Sequence, residues 1–285
     1  MQQNLAKLEA TGSAVSPWSR VELATQMLQR LQDKKAELER QYHAGHRVSS
    51  FVVDDLLDPA IALSIYEAFP PKESMRVKKS LREYKYIAAQ MNQYHPLLEE
   101  IVFAFQDPRV VSLISEIVKC STLLPDEHLY AGGISLMGQG NFLNPHLDNS
   151  HDKDKQNYRA FNLLYYVTPD WQEEFGGNLE LWDDGPTGKQ RTIVSRFNRL
   201  AVMVTHRDSW HSVSPIRVDQ TRCCVSNYYF SSTPMEEEPY AHVTSFRGRP
   251  EQRLRDVVLQ GDNALRNLVG RMLKRNIALS HYYKK

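Results

Sequence analysis

Cysteine is scarce in this sequence: Cys120, Cys223 and Cys224 are the only three among 285 residues. An odd count with two adjacent members does not build a disulfide framework, and predicts a reduced, cytoplasmic protein. Long apolar runs are also missing. No stretch approaches the roughly 18 consecutive apolar residues of a membrane span. The opening MQQNLAKLEATGSAV lacks the apolar centre of a signal peptide. Neither charge is in excess, since 35 basic side chains meet 34 acidic ones for a formal net of +1. That balance gives no long-range pull toward nucleic acid or an anionic membrane, and no basic tract interleaved with aromatics argues for nucleic-acid binding. Internal repeats and low-complexity tracts are absent as well. What remains is a globular chain, 41% hydrophobic, long enough for one large domain with a sizeable core.

The first part of the chain reads as helical. SRVELATQMLQRLQDKKAELERQY (19–42) spaces Val21, Leu23, Met27, Leu28, Leu31 and Leu38 at helical intervals, with charges on the other face. A short strand, FVV, then precedes a helix with Asp58 as N-cap and Pro59 at its first position. PLLEEIVFAFQ and PRVVSLISEIVKC are two more helices, each opened by a proline. The texture changes after Pro125. AGGISLM, RAFNLLYYV, NLELW, RTIVSRF, RLAVMV and RCCVSNYYF are short β-rich runs, separated by turn-rich GQGN, TPDW, EEFGG and DDGPTG. Such a series indicates an antiparallel sandwich or barrel with helices packed outside one sheet. The last stretch, from Pro250 to the end, suits one or two amphipathic helices with Gly261 as the break. The expected division is an N-terminal helical extension (1–48), helical support (49–124), a β core (125–232) and a C-terminal helical extension (233–285).

The chemistry concentrates in NPHLDNSHD (144–152), where two histidines and two aspartates share nine positions. On a strand, His146 and Asp148 point to one face and Leu147 to the other. An imidazole and a carboxylate on one face are two members of a 2-His-1-carboxylate facial triad, the ligand set of non-haem Fe(II) oxygenases. A bare H-x-D is weak by itself, and a hydrated loop is the competing reading. RLAVMVTHRDSWHSVSPI offers a third ligand in His206 or His211. Arg222 follows His211 by eleven residues and opens RCCVSNYYF. A returning antiparallel strand there would set a guanidinium deeper in the same barrel, where it could pair bidentately with the far carboxylate of an iron-chelating 2-oxoglutarate.

From about Tyr130 to Phe230 the sequence resembles the prolyl-4-hydroxylase-like branch of the Fe(II)/2-oxoglutarate-dependent dioxygenases. The resemblance rests on HLD (146–148), RAFNLLYYVTPDW, EEFGGNLELW with its Gly176-Gly177 pair, NRLAVMV, and WHSVSPI followed by TRCCVSNYYF. It implies a mainly β, α+β fold, a double-stranded β-helix (jelly roll) with flanking helices. It implies His146, Asp148 and His211 as iron ligands, and Arg222 with Tyr166 as cosubstrate anchors. Asn162 and Leu164 share Tyr166's strand face and are expected in the same pocket. Arg159 and Tyr228 match positions near the mouth, and Asn149 and Trp210 are further candidates for substrate contact. Leu136 departs from the pattern, standing where some prolyl hydroxylases carry another cosubstrate-facing tyrosine.

The implied cofactors are Fe(II), 2-oxoglutarate and O2, with ascorbate as a supporting reductant. The implied reaction hydroxylates an unactivated carbon and releases succinate and CO2. Asp148 favours hydroxylation over halogenation, because related halogenases replace this carboxylate with a small residue. The expected substrate is a small molecule or a carrier-borne metabolite. The alternatives are peptidyl proline and a non-catalytic jelly-roll sensor. The helical extensions offer surfaces to cover the entrance or to form a homodimer.

Other motifs read as structural. His151 and Asp152 should line the entrance or face solvent, and His95, His128, His242 and His281 carry no partner signal. GPTGKQ (185–190) resembles a phosphate loop but lacks its glycine spacing and the Ser/Thr after Lys189, so a hairpin turn is expected. Cys223 and Cys224 should alternate across one strand. Trp171 and Trp182, like Trp210, suit packing.

Overall fold

The first helix forms where capping chemistry and periodicity agree. In this computed structural model, which describes residues 16–130, 132–273 and 283, Ser19 and Glu22 close a reciprocal capping box ahead of α1 (Arg20–Tyr42). That helix buries Leu23, Met27, Leu31 and Leu38. The opening MQQNLAKLEATGSAV and the C-terminal run that contains His281 lie outside the described residues. β1 (Ser50–Asp54) and α2 (Pro59–Glu67) follow, with Asp58 capping α2 by accepting from the Ala60 N–H at 2.8 Å.

A hairpin comes next, β2 (Arg76–Lys79) and β3 (Glu83–Ala88), inside a region that reads as helical from sequence. Its segments RVKK and EYKYIA are charged and short, so backbone pairing of β2 with β3 and of β3 with β5 and β6, not hydrophobic alternation, makes them strands. α3 (Pro96–Ala104) is capped by the His95 Nδ1, which accepts from the Leu97 N–H at 3.2 Å, and α4 (Pro108–Val118) by Asp107. The remaining strands are β4 (Leu123–Pro125), β5 (Gly133–Met137), β6 (Phe142–Leu147), β7 (Tyr158–Tyr166), β8 (Leu179–Leu181), β9 (Arg191–Ile193), β10 (Arg199–Val204), β11 (His211–Val213), β12 (Arg222–Ser231) and β13 (Ser245–Phe246). One uninterrupted helix, α5 (Arg253–Leu273), ends the series. It passes through Gly261 without the expected break: one mid-helix glycine costs about 1 kcal/mol relative to alanine, and the flanking turns outweigh it.

Every pairing is antiparallel, and the strands curl into one sheet in the order β1-β10-β7-β12-β5-β3-β6-β11-β8-β9, with β13 on β6, β2 on β3 and β4 on β12. Fold class and hairpin turn are as expected, with GPTGKQ joining β8 to β9. Alternation along the central strands separates two environments. Phe161, Leu163 and Tyr165 of β7, Leu200, Val202 and Val204 of β10, and Cys223, Val225 and Tyr229 of β12 face α1, α3 and α4 in the main core. Leu164, Tyr166, Ala201, Met203 and Cys224 face the barrel interior. Adjacent Cys223 and Cys224 thus enter different clusters, and all three cysteines are unpaired. Leu136 belongs to the helix-backed core. Its side chain therefore points away from the cosubstrate side, which corrects the expectation attached to that position. Among the described residues no helix is long and apolar enough to cross a membrane.

Candidate metal centre and cosubstrate pocket

β6 and β11 are antiparallel neighbours with His146 directly opposite His211. That register brings two imidazoles from residues far apart in sequence to a ring separation of 4.1 Å. Asp148 follows β6 by one residue and turns its carboxylate between them, 3.6 Å from His146 Nε2 and 3.5 Å from His211 Nε2. Ligand atoms of all three lie within 4.8 Å of one another, the single such cluster among the described residues.

The surroundings set the protonation that a metal needs. Each His Nδ1 sits against a backbone carbonyl two residues upstream, Asn144 O at 3.0 Å and Ser209 O at 2.9 Å. An acceptor there requires Nδ1 to carry the proton, so each Nε2 presents a lone pair to the cluster. Burial, reinforced by His211, drives His146 down to about 3. Burial also lowers His211. Both rings are therefore neutral ligands near pH 7. For Asp148, burial pushes upward, but Arg159 and the two histidines hold the carboxyl well below its usual range. Asp148 Oδ2 forms an ion pair with Arg159 Nη1 at 3.1 Å and accepts from Asn162 Nδ2 at 2.8 Å. This donor set, two neutral imidazoles and one anchored carboxylate on one side, fits a divalent iron with open coordination positions.

Arg159 is nearer the metal ligands than the expected place at the mouth. Arg159 and Phe161 share strand parity, yet Phe161 faces the helices while Arg159 reaches Asp148. The β7–β12 register shifts between Tyr229 and Phe230, opposite this point, and such a bulge re-aims a side chain. The Arg159 guanidinium also lies 4.4 Å over the Tyr228 ring, so these two candidates are neighbours. Asn162, expected on the cosubstrate, donates its amide Nδ2 to Asp148 and keeps its Oδ1 buried without a partner. Asn149 turns its amide back onto the His151 carbonyl of its own loop. Trp210 is half-buried, and its backbone carbonyl accepts from the Trp182 N–H at 2.9 Å.

His206 is held elsewhere, with Nε2 on Arg47 O at 3.0 Å and Nδ1 3.1 Å from Glu236, which leaves His211 as the third ligand. His151 bonds Ser150 Oγ through Nδ1 at 2.7 Å and packs on Tyr158.

Deeper in the barrel, Arg222 Nη1 donates to Gly177 O at 3.0 Å and the guanidinium lies 5.3 Å from the Tyr166 ring centre. Gly177 has φ +67°, and a Cβ there would press on Ile216 and on Arg222 Cδ at 3.3 Å, so glycine is required for this approach. Leu164 is half-buried against the same interior cluster. Arg222 Nε and Tyr166 Oη are both buried without a hydrogen-bond partner. An unpaired buried polar group costs about 1–3 kcal/mol. A dicarboxylate reaching down from the metal would satisfy both, so these residues fit 2-oxoglutarate.

One contributor to the centre has no motif at all. β13 pairs with β6, setting Phe246 opposite His146, and the two rings stack at 5.1 Å and 14°. The only signal in the sequence would have been the short apolar–aromatic sequence HVTSF, too brief to read as a strand.

Fold and site together define a double-stranded β-helix protein with a two-histidine, one-carboxylate metal centre. Residues 132–230 match the model of the 2OG-Fe(II) oxygenase superfamily. The chain is 32% identical over 94 residues to the prolyl 3-hydroxylase OGFOD1 of Xenopus laevis, a match covering 31% of this chain and 18% of that relative. The chain therefore spans less than a fifth of the relative's length. Among solved structures, a Pseudomonas putida prolyl-4-hydroxylase aligns with TM-score 0.51 and 14% identity, over 72% of this chain and 98% of its own. SnoN, a non-haem alpha-ketoglutarate-dependent epimerase from nogalamycin biosynthesis, aligns with TM-score 0.50 and 16% identity, over 78% and 87%. At these identities the two structures share the fold, and their names show that one fold serves different reactions.

Proposed function

We propose that this protein is an Fe(II)- and 2-oxoglutarate-dependent dioxygenase that hydroxylates an unactivated carbon of a small-molecule or carrier-borne substrate. The observation that carries the reading is the pairing of two features in one barrel. The ligand atoms of His146, Asp148 and His211 converge within 4.8 Å, and beyond them Arg222 and Tyr166 keep unspent hydrogen-bonding atoms. When bound, Fe(II) would let O2 act as the four-electron oxidant, with 2-oxoglutarate giving two electrons as it becomes succinate and CO2 and the substrate C–H bond giving the other two as it becomes C–OH.

The chain's own residues bind, orient and exclude water. His146 and His211 offer Nε2 lone pairs, fixed by the carbonyls of Asn144 and Ser209. Arg159 and Asn162 hold the Asp148 carboxylate in one orientation. Arg222 takes the far carboxylate of the cosubstrate, and Tyr166 donates to it. Leu164, Met203 and Cys224 keep that end of the barrel apolar, which strengthens the charge pairing.

A prolyl residue of a protein is the second reading, favoured by the resemblance to OGFOD1 and to the Pseudomonas putida enzyme. The test is succinate release from 2-oxoglutarate with Fe(II), O2 and ascorbate, first without a prime substrate. Metabolite mixtures and proline-containing peptides are then compared for stimulation and for a mass gain of one oxygen. Stimulation by metabolites supports the reading, and stimulation by peptides alone replaces it with the second. If 2-oxoglutarate fails to bind the anaerobic Fe(II) protein, the barrel is a non-catalytic sensor.

A further inference from the structure

β3 lies between β5 and β6 in the sheet, beside the strand that carries His146. Tyr86 of β3 sits opposite Leu136 and packs with it against the helix-backed core. Alternation therefore turns Lys85 and Glu83 to the other face, toward the metal centre. Lys78 of β2 is directly opposite Lys85, so two ammonium groups project side by side from one face of the hairpin. Like charges directly opposite each other oppose pairing. Glu83 is the carboxylate that both lysines share, 3.0 Å from Lys85 Nζ and 3.9 Å from Lys78 Nζ. Its side chain is 18% exposed, against 21% for Lys85 and 38% for Lys78.

Two other cations of this hairpin are engaged elsewhere, while Arg76 adds a further like charge beside Lys78. Lys79 lies over the Tyr84 ring and Arg82 pairs with Asp262. Around the metal centre the cations Lys78, Lys85 and Arg159 thus face two carboxylates, Glu83 and Asp148. Fe(II) and Arg222 more than offset the dianionic cosubstrate, so binding it does not remove this excess of cations. Burial and the neighbouring Lys85 lower Lys78, while Asp148 acts to raise it, which places the lysine within the field of the metal ligand. A half-buried cation without its own counter-ion is stabilised when an anion completes it.

We propose that Lys78 and Lys85 form an anion subsite for the prime substrate, which carries a carboxylate or phosphate group close to the carbon that reacts. The assignment rests on the dioxygenase reading and adds the chemical class of the substrate to it. Glu83 is the internal competitor for the two lysines and holds the hairpin together while the subsite is empty.

The test uses the whole protein with Mn(II) in the iron site and saturating 2-oxoglutarate. Inorganic phosphate and acetate are titrated separately, and the paramagnetic relaxation of their NMR signals reports binding near the metal. Saturable relaxation of either probe is expected, and the tighter of the two names the group. Lys78→Gln and Lys85→Gln should each weaken binding about tenfold or more, the loss of a charge-assisted contact. Glu83→Gln should tighten it. Affinity for 2-oxoglutarate should stay within about twofold in all three variants.

The inference is overturned if neither probe saturates, or if relaxation persists unchanged in both lysine variants, which would mean direct metal binding. It is also overturned if the lysine variants lose 2-oxoglutarate affinity in parallel, which would assign the pair to the cosubstrate. Failure of the unaltered protein to bind 2-oxoglutarate would instead strike the dioxygenase reading itself.

Discussion

The two faces of the long sheet obey different rules. On the helix-backed face, Ile114, Leu98, Leu163 and Val202 are fully or almost fully buried among other apolar side chains. The polar atoms near them are largely spent, as when the Tyr165 hydroxyl donates to Asn198 Oδ1 at 2.7 Å. Asn227, which alternates with Val225 and Tyr229, is the exception, and nothing in the structure explains its unpartnered amide. On the interior face, Asn162 Oδ1, Arg159 Nε, Tyr166 Oη and Arg222 Nε are buried and unpartnered together. One face is complete as folded, and the other is complete only with its ligands bound. Stability is therefore concentrated on one side of the strands and function on the other.

Substitutions can break that division. The largest effect should come from the ligands: His211→Ala or Asp148→Ala reduces succinate release to background, whereas His206→Ala leaves turnover intact. The reverse outcome would move the metal centre. Next, Asn162→Leu and Arg159→Met remove contacts to the Asp148 carboxylate and should weaken metal affinity or activity about 10–100-fold, read by Co(II) or Fe(II) titration. Ile114→Ala on the opposite face should behave inversely, costing about 2–5 kcal/mol in denaturant unfolding with metal affinity unchanged.

A smaller effect separates packing from ligation. Phe246→Leu removes an aromatic stack on His146 worth about 0.5–1.5 kcal/mol, so metal affinity should fall about two- to tenfold. An unchanged affinity would show that the carbonyl of Asn144 orients that imidazole alone.

The smallest effect belongs to the exterior. Hydrogen bonds from Arg199, Arg109 and Arg247 hold Asp54, Asp107 and Asp256 below the ordinary 3.8. Their folded-state values are depressed, so their stabilisation is present above that pH and is lost as pH falls through the folded values. The thermal midpoint should decline in acid below about pH 4 and stay flat with respect to these groups from there to neutrality.

Much of this was legible in one dimension. Proline-opened helices with Asp58 and Asp107 as caps, the alternating runs of β7, β10 and β12, and the H-x-D with His211 and Arg222 all express local rules of capping, parity and spacing. Three features were not legible. The hairpin that carries Lys78 and Lys85 is too polar to resemble a strand. Gly261 reads as a helix break. Phe246 acts on His146 from a two-residue strand a hundred positions away. Residue types and their periodicity settled which side chains share a face, because that depends only on bond geometry within a few residues. Which strand lies beside which, where a bulge turns Arg159 inward and how many cations meet how many carboxylates were settled by the curled sheet, because register and burial belong to contacts between segments distant in the chain.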